Sequence, residues 1–260
     1  MYRSSTLIAL IAFATANFLT PAFAYANDKI PHAIAAAVAD PARPEEDRQR
    51  DEMRKPAEVV AFAKLKPGDK VADLIPGKGY FTRIFSKVVG TKGHVYAVMP
   101  SEILKVRATA ADGINAIAAD KAYSNTSVVL APLSEFKAPE RLDMVWTSDN
   151  YHDLKLPFLG PTDTAALDKA IFESLKPGGI FLVLDHVAAK GSGDRDVGTL
   201  HRIDPELVKA EVTAAGFVLE AESDVLHRPD DDHTTKVTDS AIKGKTDQFV
   251  FRFRKPTTAH

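Results

Sequence analysis

The chain has 260 residues, of which 45% are hydrophobic and 26% are charged, and its formal net charge is -2. This composition is typical of a globular protein with one sizeable core, and it lacks the basic surplus of a nucleic-acid-binding protein. The sequence contains no cysteine, so disulfides and thiolate metal ligands are excluded.

The N-terminus has the pattern of a cleavable export signal. Arg3 precedes a mostly apolar stretch over residues 7–19, and Ala22-Phe23-Ala24 has the small-x-small form of a cleavage site. A membrane anchor is the alternative, but the apolar stretch is short and ends at Pro21. We therefore expect residues 1–24 to be a signal peptide. The mature protein is then periplasmic or secreted, with no stable membrane anchor.

Residues 25–55 are predicted to form a helical extension. A short helix is expected over 30–38, and Pro44 opens a second helix that is acidic in its first turn and basic later. The charge run over 45–55 is typical of a solvated helix face, which we favour. The alternative is a lid helix over a ligand, whose Arg residues meet a carboxylate.

The segment from Lys70 to Thr82 organises the domain predicted over residues 56–260. A short apolar run predicts a buried parallel strand, and Gly77 and Gly79 then allow a tight turn before a helix. A helix that begins at such a loop directs free N–H groups toward a polar ligand. A nicotinamide site fits less well because Thr82 replaces the third glycine of its fingerprint. A P-loop is excluded because no hydroxyl residue follows Lys78.

Strands alternate with helices through the rest of the chain, which indicates an α/β fold with a mostly parallel sheet. A helix interrupted near Gly113 is expected over 101–119, and a polar hairpin connection over 228–245. Further strands are predicted at 94–99, 126–130, 142–147, 180–184, 217–225 and 248–253, and further helices at 163–175 and 205–215.

These motifs resemble class I S-adenosylmethionine-dependent methyltransferases over roughly residues 56–256. The resemblance is carried by segment 71–79, by the turn 175–179 before an apolar strand, and by the final strand pair. Segments 150–154, 184–186 and 244–250 are similar to a narrower group of exported predicted methyltransferases. The resemblance implies a Rossmann-like, seven-stranded, mostly parallel sheet with an antiparallel last strand and helices on both faces. It also implies S-adenosyl-L-methionine as the cofactor.

The resemblance assigns a set of cofactor-binding residues but leaves two departures. Ile75 stands where the family has its first glycine, and Met99 stands where an acid binds the ribose hydroxyls. An apolar Met cannot accept those hydrogen bonds, so we expect Glu102 to reach back or the affinity to fall. The expected cofactor contacts are Asp73, Pro76, Gly77, Gly79, Met99, Glu102 and Ser148.

Polar residues after the fourth predicted strand, at 149–153, are the candidates for catalysis. His152 or Asp149 could accept a proton from the methyl acceptor, Tyr151 could position a ring, and Asn150 borders the same place. A polar loop with a structural histidine is an equally weighted alternative. His186 and His201 are secondary candidates.

Other polar clusters are interpreted as structural or solvent-exposed. Asp149, Asn150 and Asp185 could mimic a divalent-cation site, but spacing does not establish one and no metal is predicted. The acidic segment 230–233 is expected to be a solvated loop tip. Arg202, in contrast, is expected to face the substrate.

Two functions remain open. The first is S-adenosylmethionine-dependent methyl transfer to a small-molecule acceptor in an exported compartment. The second is a non-catalytic ligand-binding protein on a methyltransferase fold, suggested because the cofactor is made in the cytoplasm. No nucleic-acid partner is expected, and the oligomeric state is left open.

Overall fold

The computed structural model describes residues 29–160 and 162–257, together with the backbone of Ala22–Phe23. The predicted signal peptide otherwise lies outside the described residues. Within the part that is described, no helix is long and apolar enough to cross a membrane.

Eight strands form one mixed sheet in the order β1-β7-β8-β6-β5-β2-β3-β4. All neighbouring pairs are parallel except those of β8, which runs antiparallel to β6 and to β7. Without the two-residue β1, this is the predicted seven-stranded sheet with an antiparallel last strand. The strands are β1 Ala22–Phe23, β2 Lys70–Leu74, β3 His94–Pro100, β4 Thr126–Ala131, β5 Leu142–Ser148, β6 Leu175–His186, β7 Val218–Ser223 and β8 Gln248–Arg254.

Helices cover both faces of the sheet, as predicted. Alternate residues of a strand point to opposite faces, so Ala72 and Leu74 pack in one buried cluster while Val71 packs in the other with Trp146. The helices are α1 His32–Val38, α2 Glu45–Arg48, α3 Asp51–Arg54, α4 Pro56–Phe62, α5 Tyr80–Val89, α6 Ser101–Val106, α7 Asp112–Ala119, α8 Thr164–Ser174, α9 Val197–Leu200 and α10 Pro205–Ala214.

Two predicted helices are divided differently from the expectation. The charged helix of the extension is split into α2 and α3. Helix α3 ends before Lys55, which has a left-handed backbone (φ 41°) and precedes Pro56 at the start of α4. The helix over 101–119 breaks at Arg107, which is extended, and not at Gly113. Gly113 lies inside α7, where a Cβ would be 3.3 Å from Lys78 Cα. The glycine therefore lets α7 pack against the ligand loop.

The expectation of a solvated tip at 230–233 is wrong for Asp231. The Asp231 carboxylate accepts two hydrogen bonds from the guanidinium of Arg202, at 2.8 and 2.9 Å. Both side chains are buried. A buried charge needs such a partner, so Arg202 fixes the long connection to the sheet edge and does not face a substrate.

Candidate functional site

A cavity of about 570 Å³ lies at the carboxyl ends of β2 and β5. Ligands of open α/β sheets bind at this edge. The cavity is lined by residues of three stretches, 46–54, 73–81 and 148–150. Of the predicted site residues, six line it: Asp73, Pro76, Gly77, Ser148, Asp149 and Asn150.

The glycine loop reaches the cavity through residues with left-handed backbone. Gly77 (φ 58°) and Gly79 (φ 81°) supply this conformation without steric cost. Gly79 does not line the cavity. A Cβ there would approach Ile117 Cδ1 to 2.2 Å, so this glycine serves the packing of α7 against the loop. Ile75 also has positive φ (56°), although it is β-branched. Its left-handed backbone is a strained conformation for such a residue.

Asn150 stabilises the strained turn at Ile75. Its amide Nδ2 donates to the carbonyl of Ile75 at 3.0 Å and also to the carbonyl of Ser148. The backbone N–H of Ile75 donates to the carbonyl of Val98 at 2.9 Å. Asn150 therefore couples the loop after β5 to the loop after β2, across the floor of the cavity.

Asp73 is a buried carboxylate at the cavity wall. It is 3% exposed, and its Oδ2 accepts a hydrogen bond from Thr82 Oγ1 at 2.6 Å. Burial raises the pKa of Asp73 to about 7, against the lowering effect of the Thr82 hydrogen bond and of Arg54. A cation that entered the cavity would find a carboxylate with only one side-chain partner.

The extension borders this cavity, so the interpretation of residues 45–55 as a solvated face is wrong for Asp47, Asp51 and Arg54, while most of the other residues in this run are exposed. Arg50 and Arg54 line the cavity. Arg54 Nη2 donates to Ser148 Oγ at 3.1 Å and to Asp149 Oδ2 at 3.2 Å. Its guanidinium also lies 4.6 Å from the ring centroid of Tyr80. The alternative of a lid that carries Arg side chains over a ligand describes the structure better.

The lid is fixed to the domain by ion pairs and hydrogen bonds. The buried Arg43 guanidinium donates to both oxygens of Asp51 at 2.7 Å. Asp51 also accepts from the hydroxyl of Tyr80 at 2.6 Å, and Arg83 donates to the buried Asp47 at 3.1 Å. Sequence patterns gave no signal for the contacts of Asp51 with Tyr80 and of Asp47 with Arg83, because their members are 29 and 36 residues apart.

His152 does not line the cavity and is held between two carboxylates. Its Nδ1 lies 2.8 Å from Asp185 Oδ1, and its Nε2 lies 3.2 Å from Asp153 Oδ1. Burial lowers the pKa of His152, but the charge of Asp185 and the hydrogen bonds to both carboxylates outweigh it and raise the pKa to about 10. At neutral pH the ring is an imidazolium, which is not the proton acceptor that the sequence suggested.

Tyr151, the residue expected to position a ring, points away from the cavity. The side chain is fully buried, and its hydroxyl donates to Asp168 Oδ2 at 2.7 Å and to Glu211 Oε2 at 3.1 Å. These partners lie on α8 and α10. The structure therefore gives Tyr151 a packing role between helices.

Met99 and Glu102, expected at a ribose, also lie outside the cavity lining. Met99 is 1% exposed within the same hydrophobic cluster as Ile75 and Ile103. Glu102 Oε1 accepts from the backbone N–H of Leu133 at 3.2 Å. Its Oε2 is buried and has no hydrogen-bond partner among the described residues. An unsatisfied buried carboxylate oxygen is costly, and a ligand hydroxyl would satisfy it.

The secondary candidates, His186 and His201, flank His152 with ring centroids 6.2 and 5.4 Å away. His186 Nδ1 is hydrogen-bonded to Thr246 Oγ1 at 2.9 Å, and its Nε2 lies 3.8 Å from Asp149. The cation set suggested from Asp149, Asn150 and Asp185 is not assembled, because Asp185 is bonded to His152 and Asn150 to the strand loops.

Comparison with known proteins finds similarity to methyltransferases. No protein-family model matches it. It is 32% identical over 124 residues to the ubiquinone/menaquinone biosynthesis C-methyltransferase UbiE of Vibrio cholerae, a match that covers 46% of this chain and 42% of that protein. UbiE of Psychromonas ingrahamii is 32% identical over 131 residues, covering 49% and 46%. The chain thus spans less than half the length of the curated relatives it matches.

Solved structures share the fold at low sequence identity. A SAM-dependent methyltransferase from Aquifex aeolicus superposes with a TM-score of 0.56 at 19% identity, covering 82% of this chain and 98% of that one. The 4+2 cyclase SpnF gives 0.56 at 18% identity, covering 82% and 81%. The glycopeptide N-methyltransferase MtfA, solved with sinefungin, gives 0.51 at 16% identity, covering 80% and 86%. The chain is therefore similar in sequence to UbiE over less than half its length, and it shares the fold of solved S-adenosylmethionine-dependent methyltransferases.

Proposed function

We propose that this protein is an S-adenosylmethionine-dependent methyltransferase that holds the methionyl end of its cofactor in the cavity beneath the lid. The carrying observation is the arrangement of opposite charges at the glycine loop. Asp73 presents a carboxylate, while Arg50 and Arg54 line the same cavity. The methionyl end of the cofactor is an α-amino acid, with one ammonium and one carboxylate. Asp73 would bind the ammonium, and Arg50 and Arg54 would bind the carboxylate.

Glu102 supports a place for the adenosyl end. In the family that the sequence resembles, an acid near this point binds the ribose hydroxyls. Here Glu102 Oε2 is buried without a partner, so one acceptor is free close to the end of β3. The buried Met99 offers none. Glu102 lies outside the cavity lining, so its side chain would have to turn toward the cavity to give the ribose this one acceptor, where the family's acid can supply two.

The bound cofactor would supply an activated methyl group, and the residues described here would bind and orient it. The Gly77 loop presents backbone beside the ligand without an intervening Cβ. Arg54 and Tyr80 close the lid side and exclude water. Because His152 is an imidazolium at neutral pH, we assign it no proton-accepting step. The acceptor class is a small molecule, which has to enter under the lid.

A second function, non-catalytic binding of a ligand on the same fold, is favoured by one observation. Met99 fills the position of the ribose-binding acid with an apolar side chain, and hydrophobic residues pack around it. A structural neighbour of similar TM-score is named a cyclase, so the fold alone does not specify methyl transfer.

We also propose that the protein is exported, on the pattern of residues 1–24. Cleavage after Ala24 would remove β1 and leave β2–β8 as the seven-stranded sheet. Expression with the native N-terminus, followed by fractionation and intact-mass measurement, tests both export and the cleavage point. A cytoplasmic protein of uncleaved mass would contradict the proposal.

Titration calorimetry with S-adenosylmethionine and S-adenosylhomocysteine tests the cofactor. Saturable binding of one molecule per chain is expected, and absence of binding at millimolar ligand would rule the cofactor out. Transfer of a labelled methyl group from the cofactor to the small-molecule fraction of a cell extract then separates the two functions. Binding with no transfer, together with an unrelated molecule found by mass spectrometry of the purified protein, would favour the second.

A further inference from the structure

Beside the cavity, three side chains that do not line it present metal-binding atoms to one another. His152, Asp153 and His201 each offer one ligand atom, and these atoms all lie within 4.8 Å of one another. His152 Nε2 is 3.2 Å from Asp153 Oδ1, and His201 Nδ1 is 3.9 Å from the same oxygen. Ligand atoms about 2.0–2.2 Å from a tetrahedral zinc ion lie roughly 3.3–3.6 Å apart. The two spacings to Asp153 Oδ1 lie just below and just above that range, and the spacing between the two histidine nitrogens is at most 4.8 Å.

His152 is oriented in the way that metal-binding histidines usually are. The fully buried Asp185 accepts from the backbone N–H of His152 at 2.8 Å, and its other oxygen lies 2.8 Å from Nδ1. A carboxylate at one ring nitrogen fixes the ring and leaves the opposite nitrogen as the ligand. That opposite nitrogen, Nε2, is the one that faces Asp153.

His201 is held in place by its own backbone and by the two residues that follow it. It has a left-handed backbone (φ 54°), which is uncommon for a residue other than glycine and is often found at functional sites. Arg202 is locked by the buried pair with Asp231, and Ile203 donates its N–H to the carbonyl of His186 at 3.0 Å. The chain therefore directs His201 toward Asp153 at the cost of a strained conformation.

We propose that His152 Nε2, Asp153 and His201 Nδ1 bind a divalent transition-metal ion of the zinc type. A set of two imidazoles and one carboxylate favours zinc over calcium or magnesium. Metal binding would release the proton that His152 carries at neutral pH without metal, so that its Nε2 can act as a ligand. The divalent ion would then neutralise the two negative charges of Asp153 and Asp185 with both histidines uncharged. Asp153 and His201 are partly exposed, at 20% and 29% of their side chains, so water can reach a fourth position.

This site differs from the cofactor cavity in residues and in ligand chemistry. His186 and Asp149 stand between the two, with His186 Nε2 3.8 Å from Asp149 Oδ1. The proposal does not depend on methyl transfer, because metal binding is measured without cofactor or acceptor.

Calorimetric titration of zinc into the full chain, purified without a histidine tag and treated with chelator, tests the site. One ion per chain is expected. Titration with cobalt(II) should give the intense visible absorption of a four-coordinate ion. His201→Asn should weaken zinc binding at least tenfold, and asparagine tolerates the left-handed backbone at this position. Asp185→Asn should weaken it by about 10–100-fold, as loss of an orienting carboxylate does.

His32→Gln is the matched control, because His32 is an exposed histidine at the start of α1. It should leave zinc affinity unchanged within twofold. Thermal unfolding of each variant without metal shows whether it is folded, and His201→Asn keeps the test valid if Asp185→Asn is unstable. Absence of stoichiometric zinc binding, or equal affinity in His201→Asn and the wild type, would overturn the proposal.

Discussion

Asp185 Oδ2 accepts a hydrogen bond from the backbone N–H of His152, and Asp185 Oδ1 lies 2.8 Å from the ring Nδ1 of the same residue. Both residues are buried, so each supplies the partner that the other needs. Burial alone would raise the pKa of Asp185, but the charge of His152 and its hydrogen bonds hold this pKa below the ordinary value. The pair fixes the loop after β5 against the end of β6.

The pair of His152 and Asp185 should make the folded protein less stable as the pH becomes alkaline. The pKa of His152 is raised from 6.5 to about 10 in the folded state, so its stabilising effect is complete below pH 6.5 and is lost as the pH rises toward 10. His152→Gln should lower the free energy of unfolding by about 3–5 kcal/mol at pH 6, the range for a broken buried pair. The gap between variant and wild type should shrink by pH 9.5. Urea unfolding across this range measures it, with His32→Gln as control, and a gap that is constant with pH would contradict the prediction.

Asp73 should also make the stability fall with rising pH, but for the opposite reason. The folded state disfavours the charged form of Asp73, whereas it favours the charged form of His152. Its pKa is raised from 3.8 to about 7, so between these values the folded protein keeps a proton that the unfolded chain has released. Stability therefore falls as the pH rises from about 4 to 7, and Asp73→Asn should lessen this fall by a few kcal/mol at most, at about 1.4 kcal/mol per pKa unit.

Asp168→Asn is the matched variant for Asp73, because burial raises the pKa of Asp168 to about 7 as well, far from the cavity. Both substitutions should reduce the dependence of unfolding on pH in this range. Only Asp73→Asn should weaken binding of S-adenosylmethionine, by about tenfold or more, as expected for a lost hydrogen bond to a charged group. Equal effects on binding in the two variants would argue against Asp73 as a ligand contact.

Arg54 should control ligand affinity through its guanidinium. Arg54→Gln removes a charge from the cavity wall and should weaken binding of S-adenosylmethionine by about 10–100-fold, equivalent to about 1.5–3 kcal/mol. The control is Arg48→Gln, since Arg48 is exposed and pairs only with the exposed Glu45 among the residues described. Calorimetry measures the affinity of both variants for S-adenosylmethionine. Unchanged affinity in Arg54→Gln would show that Arg54 does not contact the ligand.

Tyr151 should affect stability and leave binding unchanged. Tyr151→Phe removes the hydroxyl that donates to Asp168 and Glu211 inside the protein. We expect a loss of about 1–3 kcal/mol in the free energy of unfolding, because buried acceptors lose their donor. Affinity for S-adenosylmethionine should stay within twofold of the wild type. Denaturant unfolding and calorimetry measure the two effects, and a large loss of affinity would return Tyr151 to the site.

The parts of this fold that were predicted from sequence are those with local signals. The apolar run before Gly77 carries its information within a few residues. The turn predicted at 175–179 is wrong, because these residues form the irregular first part of β6, where its pairing with β5 shifts register. The predicted strand at 180–184 is longer in the structure, where β6 runs from Leu175 to His186. Local patterns therefore located the strands and gave the mostly parallel sheet.

The site was predicted less completely because its chemistry depends on distant partners. His152 was identified as functional, but Asp185, which determines its charge, is 33 residues away. Arg54 was assigned to a solvated face because nothing near it indicates a contact with Asp149, 95 residues later. Likewise, the residues next to Arg202 in sequence do not indicate that it is buried. Its burial is explained by its ion pair with Asp231.

The position of β8 between β6 and β7 sets an order on the assembly of this sheet. Among the described strands, β7 joins β2–β6 only through β8, which follows it in the chain after residues 224–247. A chain emerging from the ribosome therefore cannot complete this half of the sheet until β8 has been made. A polypeptide with that delay stays longer in an incompletely folded state.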